Sequence, residues 1–249
     1  MTKPQPISAE RPTARPEELV ESLFVEDILA AAKHSALTED LVLTILRRRD
    51  LQASVLEAVA RNHSVIKHRK VLIGIVEHQH TPRHISLPLL RRLFTFELMQ
   101  IALAPGVHAD VKRIAEELLI GKSETISLGE RITLARQGSA NVAAALLLHN
   151  ETSIIEAALQ NPRMTETGIV KSLARPEVPV PLLNMLVQHS KWSTRREIQI
   201  GILRRAEASD ALVMQLAAKL PKRALQEVLT NYKLPASRRE LLQRALLQR

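Results

Sequence analysis

Leu134-Ala135-Arg136-Gln137, Leu147-Leu148-His149-Asn150, Leu159-Gln160-Asn161-Pro162, Leu173-Ala174-Arg175-Pro176 and Leu186-Val187-Gln188-His189 repeat one phrase: an apolar helix end, one or two polar residues, and a new helix start. The steps between them are 12 to 14 residues, so a helix pair takes about 26, inside the range of periods that signals a solenoid. A longer echo fits as well: Leu159, Thr165 and Glu166 return 44 positions on as Leu203, Ser209 and Asp210. Stacked repeats bury a continuous core between neighbours and leave an extended face for partners. The phrase therefore predicts an all-α chain, an α-solenoid of short antiparallel helices of the HEAT-like or armadillo-like kind. It says much about architecture and little about chemistry.

Composition agrees. Seven glycines and one tyrosine among 249 residues describe a helical chain with few tight turns, and the β-branched alternation of strands is missing. The absence of cysteine excludes structural disulfides, thiolate zinc sites, iron–sulfur clusters and a cysteine nucleophile. No apolar run approaches the ~18 residues of a membrane span. Met1-Thr2-Lys3-Pro4-Gln5-Pro6 lacks the apolar core of a secretory signal, so a cytoplasmic location without membrane partners is the expectation. Of the net charge of +9, thirteen bases against five acids after Ser190 contribute +8, whereas eight acids face seven bases before Asp50. Such asymmetry favours an anionic partner.

Along the chain, residues 1–15 carry Pro4, Pro6 and Pro12 without apolar periodicity and read as a disordered arm, with Pro16 in a first helical turn. A single helical repeat domain then covers 16–249, degenerate over 16–120 and clearer over 121–249. A helix starts after Thr38. The segment His78–Ser86 reads as an irregular loop, with short helices resuming at Pro88–Phe94 and Phe96–Leu103. Ser127…Glu130, Thr194…Glu197 and Ser237…Glu240 have the spacing of capping boxes. Gly121, Gly129 and Gly138 read as isolated helix-end glycines.

Leu128-Gly129-Glu130-Arg131-Ile132-Thr133-Leu134-Ala135-Arg136, Ala158-Leu159-Gln160-Asn161-Pro162-Arg163-Met164-Thr165-Glu166 and His189-Ser190-Lys191-Trp192-Ser193-Thr194-Arg195-Arg196-Glu197 carry a resemblance to a bacterial group of HEAT-like, leucine-rich-repeat-variant-like α-solenoid proteins. The resemblance covers residues 120–245, about half the chain. It implies helix caps and turns, not a catalytic site.

Candidate chemistry is sparse. Glu77, His78, His80 and His84 share one segment, and a His-x-His spacing can hold an ion, but Arg83 sits among them and an ordinary solvated loop is the simpler reading. Ser123, Ser127, Ser139 and Ser153 lack a nucleophile-elbow sequence. The paired acids Glu17-Glu18 and Glu116-Glu117 read as parts of solvated helix faces. No glycine-rich phosphate loop and no cofactor motif occur, so no enzyme activity and no cofactor are expected. A helical-repeat DNA glycosylase needs aromatic groups for a flipped base, and Phe24, Phe94, Phe96 and Tyr232 fall at core-like spacing. Trp192 is the exception, between Lys191 and the helix start at Arg195-Arg196.

The expected anion- or partner-binding surface is therefore Lys191, Trp192, Arg195, Arg196, Arg204, Arg205, Arg238 and Arg239. Two functions compete, a non-enzymatic scaffold binding a protein partner of acidic character and sequence-independent nucleic-acid binding through these basic C-terminal repeats, with a helical-repeat DNA glycosylase as a distant third.

Overall fold

The computed structural model describes residues 14–247, and every regular element among them is a helix. The chain divides into two units between Lys122 and Ser123, close to where the sequence passes from degenerate to clearer repeats. Of the expected arm, all but Ala14 and Arg15 lies outside the described residues. Ala14 is buried, and Arg15 is the N-cap of the first helix, which opens on Pro16.

Unit one holds α1 (Pro16–Val20), α2 (Val25–Lys33), α3 (Glu39–Leu46), α4 (Ala53–Arg61), α5 (Arg69–Glu77), α6 (Arg83–Leu90), α7 (Thr95–Leu103) and α8 (Ala109–Lys122). The odd-numbered helices pack in sequence, α1 on α3, α3 on α5 and α5 on α7. On the other side α2 meets α4 and α6 meets α8. The two layers join where α1 touches α2, α5 touches α6 and α7 touches α8. Helix α4 shows why they do so: Val55, Leu56 and Val59 lie within about one helical turn of each other and are fully buried. Each such side chain contributes about 1.5–3 kcal/mol through removal from water.

Unit two holds α9 (Leu128–Gln137), α10 (Ala140–Leu146), α11 (Thr152–Leu159), α12 (Glu166–Leu173), α13 (Val180–Gln188), α14 (Arg196–Leu203), α15 (Asp210–Lys219), α16 (Lys222–Asn231) and α17 (Ala236–Leu247). Here α9, α11, α13, α15 and α17 pack successively in one layer, and α10, α12 and α14 in the other.

Helix starts follow their caps. Thr38, Ser127, Ser139, Thr165 and Ser209 each accept a backbone N–H of the first turn. Ser127 and Glu130 form the expected capping box; the other two boxes do not form. Arg195, not Thr194, is the N-cap of α14, and the Thr194 hydroxyl donates to the Lys191 carbonyl instead. Helix α17 opens at Ala236, which puts Ser237 inside its first turn. The expected loop over His78–Ser86 is shorter than its composition suggested, because α6 begins at Arg83 and carries Pro88 inside. An interior proline removes one helical donor, and α6 stops after Leu90.

Helix ends use an unusual device. No described residue has a positive φ, so no left-handed glycine closes a helix. Gly121 lies within α8 and Gly129 within the first turn of α9; only Gly138 ends a helix, at φ −64°. The last carbonyls of a helix still need donors, and side chains about one helix pair downstream supply them. Asn62 donates to the Ala32 and His34 carbonyls at 2.9 and 3.0 Å. Asn161 donates to those of Ala135 and Gly138 at 2.8 and 3.1 Å. Arg48 reaches Ser22, and Lys122 reaches Leu93.

The helices of the two units fall at a constant offset of 127 positions, as from Glu39 to Glu166. Helices α3 and α12 coincide end to end at this offset, as do α4 and α13; α5, α7 and α8 start at the positions matching the starts of α14, α16 and α17. The N-caps Thr38 and Thr165 match, as do Leu46 and Leu173, Arg69 and Arg196, and Ile73-Gly74-Ile75 and Ile200-Gly201-Ile202. Leu19 and Leu146, Leu56 and Leu183, and Leu98 and Leu225 are matched and buried. The helices of the two units thus follow one order at one spacing. Helix α9 has no counterpart among the described residues.

Candidate functional site

The eight basic-surface residues do not form one site. Trp192 is only 2% exposed, and its indole Nε1 donates to the Leu159 carbonyl at 3.2 Å. It occupies the place that buried Val65 has in unit one. Arg238 is 6% exposed, at the place of buried Val111, and its guanidinium reaches the carbonyls that follow α14 at Arg205 and Ala208. Burial lowers its pKa, with Asp210 at 4.0 Å acting in the opposite direction. Arg205 donates to the carbonyls of Leu173, Arg175 and Pro176 and to both oxygens of Glu207. That hydrogen bonding holds the Glu207 carboxyl below its ordinary pKa. These three side chains close helix ends.

Lys191, Arg195, Arg196, Arg204 and Arg239 are exposed. Arg196 pairs with Glu227, and Arg195 lies 4.0 Å from Glu166. The Arg204 guanidinium stacks over Tyr232 at 4.2 Å, and Lys191 Nζ lies 4.1 Å from the Trp192 ring centre. Arg239 donates to the Leu229 carbonyl at 3.4 Å.

Two grooves lie at matching places of the two units. The first, about 730 Å³, has Leu43, Leu46 and Gly74 beneath and Arg47, Arg48, Arg49 and Glu77 around it, with Pro105 and Gly106 at one wall. The second, about 180 Å³, has Val170, Leu173 and Gly201 beneath, Glu197, Arg204 and Arg205 around it, and Tyr232 and Lys233 at the same wall. Tyr232 and Lys233 replace a proline and a glycine, which accounts for the smaller volume. Both floors depend on glycine: a Cβ at Gly74 or Gly201 would lie 2.9 Å from the Cδ1 of Leu46 or Leu173. Both rims carry more cation than anion.

A second charged feature lies at the starts of α5, α14 and α16. Arg69 and Lys70 open α5, Arg196 opens α14, and Lys222 and Arg223 open α16. Cations there oppose the helix dipole, so helix stability does not account for them. In unit one this edge also exposes two phenylalanines that the sequence reading assigned to core-like positions. Phe94 is 66% and Phe96 46% exposed, because they fall at the N-cap and second residue of α7, where side chains leave the layer. Their numbers alone, two apart, mark them as unable to share one helical face.

The histidine segment supplies caps. His78 Nε2 lies 2.8 Å from the Arg48 carbonyl and His80 Nδ1 3.0 Å from that of Leu51, while His84 faces Glu57 at 3.6 Å. Among the described residues no group of three or more His, Asp or Glu side chains is placed to hold a metal. No helix among them is long and apolar enough to cross a membrane. The fold defines the chain as an all-α protein of two matched helical units. No protein-family model, no curated protein and no solved structure matches it.

Proposed function

We propose that this chain is a HEAT-like α-solenoid that acts as a non-enzymatic interaction scaffold and binds an acidic protein partner. The observation that carries the reading is the groove of unit one, where Leu43, Leu46 and Gly74 meet more cations than anions; the smaller, more polar groove at the same place in unit two repeats the cation excess. An apolar floor takes an aliphatic anchor, and the rim steers and orients an acidic segment around it. The expected basic surface contributes Arg204 to the second rim, and Lys191, Arg195, Arg196 and Arg239 to the exposed charge of the same unit.

The test compares the intact chain with an Arg47→Glu, Arg204→Glu variant, using a fluorescein-labelled peptide of alternating Glu and Leu. Binding by the parent and a loss of tenfold or more in the variant, with unchanged helical signal, supports the scaffold. Equal affinity for the two chains, or no binding by either, rejects this use of the grooves.

A further inference from the structure

We propose that the edge of unit one around Phe94 binds single-stranded nucleic acid, with the Phe94 ring as a base-stacking platform and the surrounding cations on the phosphates. One face of the ring is covered by the Arg69 guanidinium, 3.9 Å from the ring centre. Arg69 is held in turn by Glu97 and by the Arg92 carbonyl at 2.9 Å. The Glu97 carboxylate also accepts the Phe94 backbone N–H at 2.7 Å, so ring, guanidinium and carboxylate are tied into one stack. The other face is open, since the residue is 66% exposed. Glu97 is engaged by Arg69, whereas Lys67, Lys70, Arg91 and Arg92, close by in the chain, are exposed, with Arg92 also donating to the Ile66 carbonyl at 3.5 Å.

A flat, open ring backed by a fixed guanidinium suits a planar base, which needs area and no socket; stacking with nearby cations is how single strands are held without sequence readout. An acidic peptide with an aliphatic anchor needs a socket, and a ring so exposed provides none. The matching edge of unit two sharpens the assignment. It holds Arg196 and Lys219 where unit one has Arg69 and Arg92, and Arg223 in place of Phe96, but Pro221 stands where Phe94 does. That edge has cations without a platform.

The inference does not rest on the groove reading. The test titrates the full chain against a labelled 20-nucleotide oligothymidylate and an abasic strand of equal length, at about 50 mM salt, where phosphate contacts are strong. Oligothymidylate should bind at least tenfold more tightly than the abasic strand. Phe94→Ala should remove that preference while leaving abasic binding in place, and Phe94→Trp should keep it. Arg91→Glu with Arg92→Glu should weaken both strands. Equal binding of the two strands by the parent, or an unchanged preference in Phe94→Ala, overturns the platform. No binding of either strand overturns the whole proposal, and capture of the Glu–Leu peptide through Phe94 instead assigns the edge to a protein.

Discussion

Arg238 and Trp192 put large polar side chains where the matching positions of unit one hold valine, and both aim a donor at the carbonyls of an earlier helix end. A buried carbonyl left without its donor costs about 1–3 kcal/mol. Arg238→Ala should therefore lower stability by about 2–4 kcal/mol in urea unfolding. Trp192→Ala should lower it by about 3–5 kcal/mol, with the volume of the side chain adding to the lost bond. Neither should alter affinity for an anionic probe under conditions where the chain stays folded; a selective loss of binding would return these residues to the surface. Glu97 makes a second residue-scale case. Burial raises its pKa, but the hydrogen bonds from Arg69 and the Phe94 N–H outweigh this, and the net shift is downward. A depressed carboxylate stabilises the fold above its unfolded pKa and stops doing so as pH falls through the folded value. Glu97→Gln should thus be less stable than the parent at pH 7, and the difference should vanish in acid below the ordinary glutamate range. A penalty that is independent of pH would exclude the ionised carboxylate as its source.

Three glycines make separate predictions about elements. Gly121 is the penultimate residue of α8, and a methyl group there would have nothing within 4 Å, so alanine should raise stability, by less than the roughly 0.5–1 kcal/mol of a mid-helix glycine. At Gly201 the methyl group meets only the side chain of Leu173, which can rotate into the groove, so the fold survives and Glu–Leu peptide binding falls. At Gly138 it would lie 2.5 Å from the Leu134 carbonyl oxygen, backbone that cannot step aside, and the melting temperature should drop most there. Thermal melts of the three variants in any other order would contradict these assignments. Element positions were largely legible in the sequence, because caps such as Thr38, Ser127 and Thr165 are local signals. Helix ends were not, since their donors lie some thirty residues away and no left-handed glycine marks them. The grooves were equally hidden: Gly74 and Gly201 matter through Leu46 and Leu173, which touch them only after α3 meets α5 and α12 meets α14. The basic surface was legible as charge alone. Nothing local separates Arg205, which closes a helix end, from Arg204, which is exposed beside it.

For the molecule as a whole, the offset of 127 makes each unit a control for the other. The short cadence of 12–14 residues masks that long period, because matched positions seldom hold identical residues. Each unit has its own two layers and its own closed helix ends, so residues 14–122 and 123–249, expressed separately, should each melt cooperatively with a helical spectrum. A fragment without a cooperative transition would show that the two units do not fold independently. Most of the closing bonds share one more property. From Asn62 to Ala32, from Lys122 to Leu93, from Asn161 to Ala135 and from Arg238 to Arg205, the donor follows the acceptor in the chain; Arg69, which donates forward to Arg92, is the exception. During synthesis a helix pair leaving the ribosome therefore waits for the next pair before these ends are sealed, and assembly runs in the order of translation.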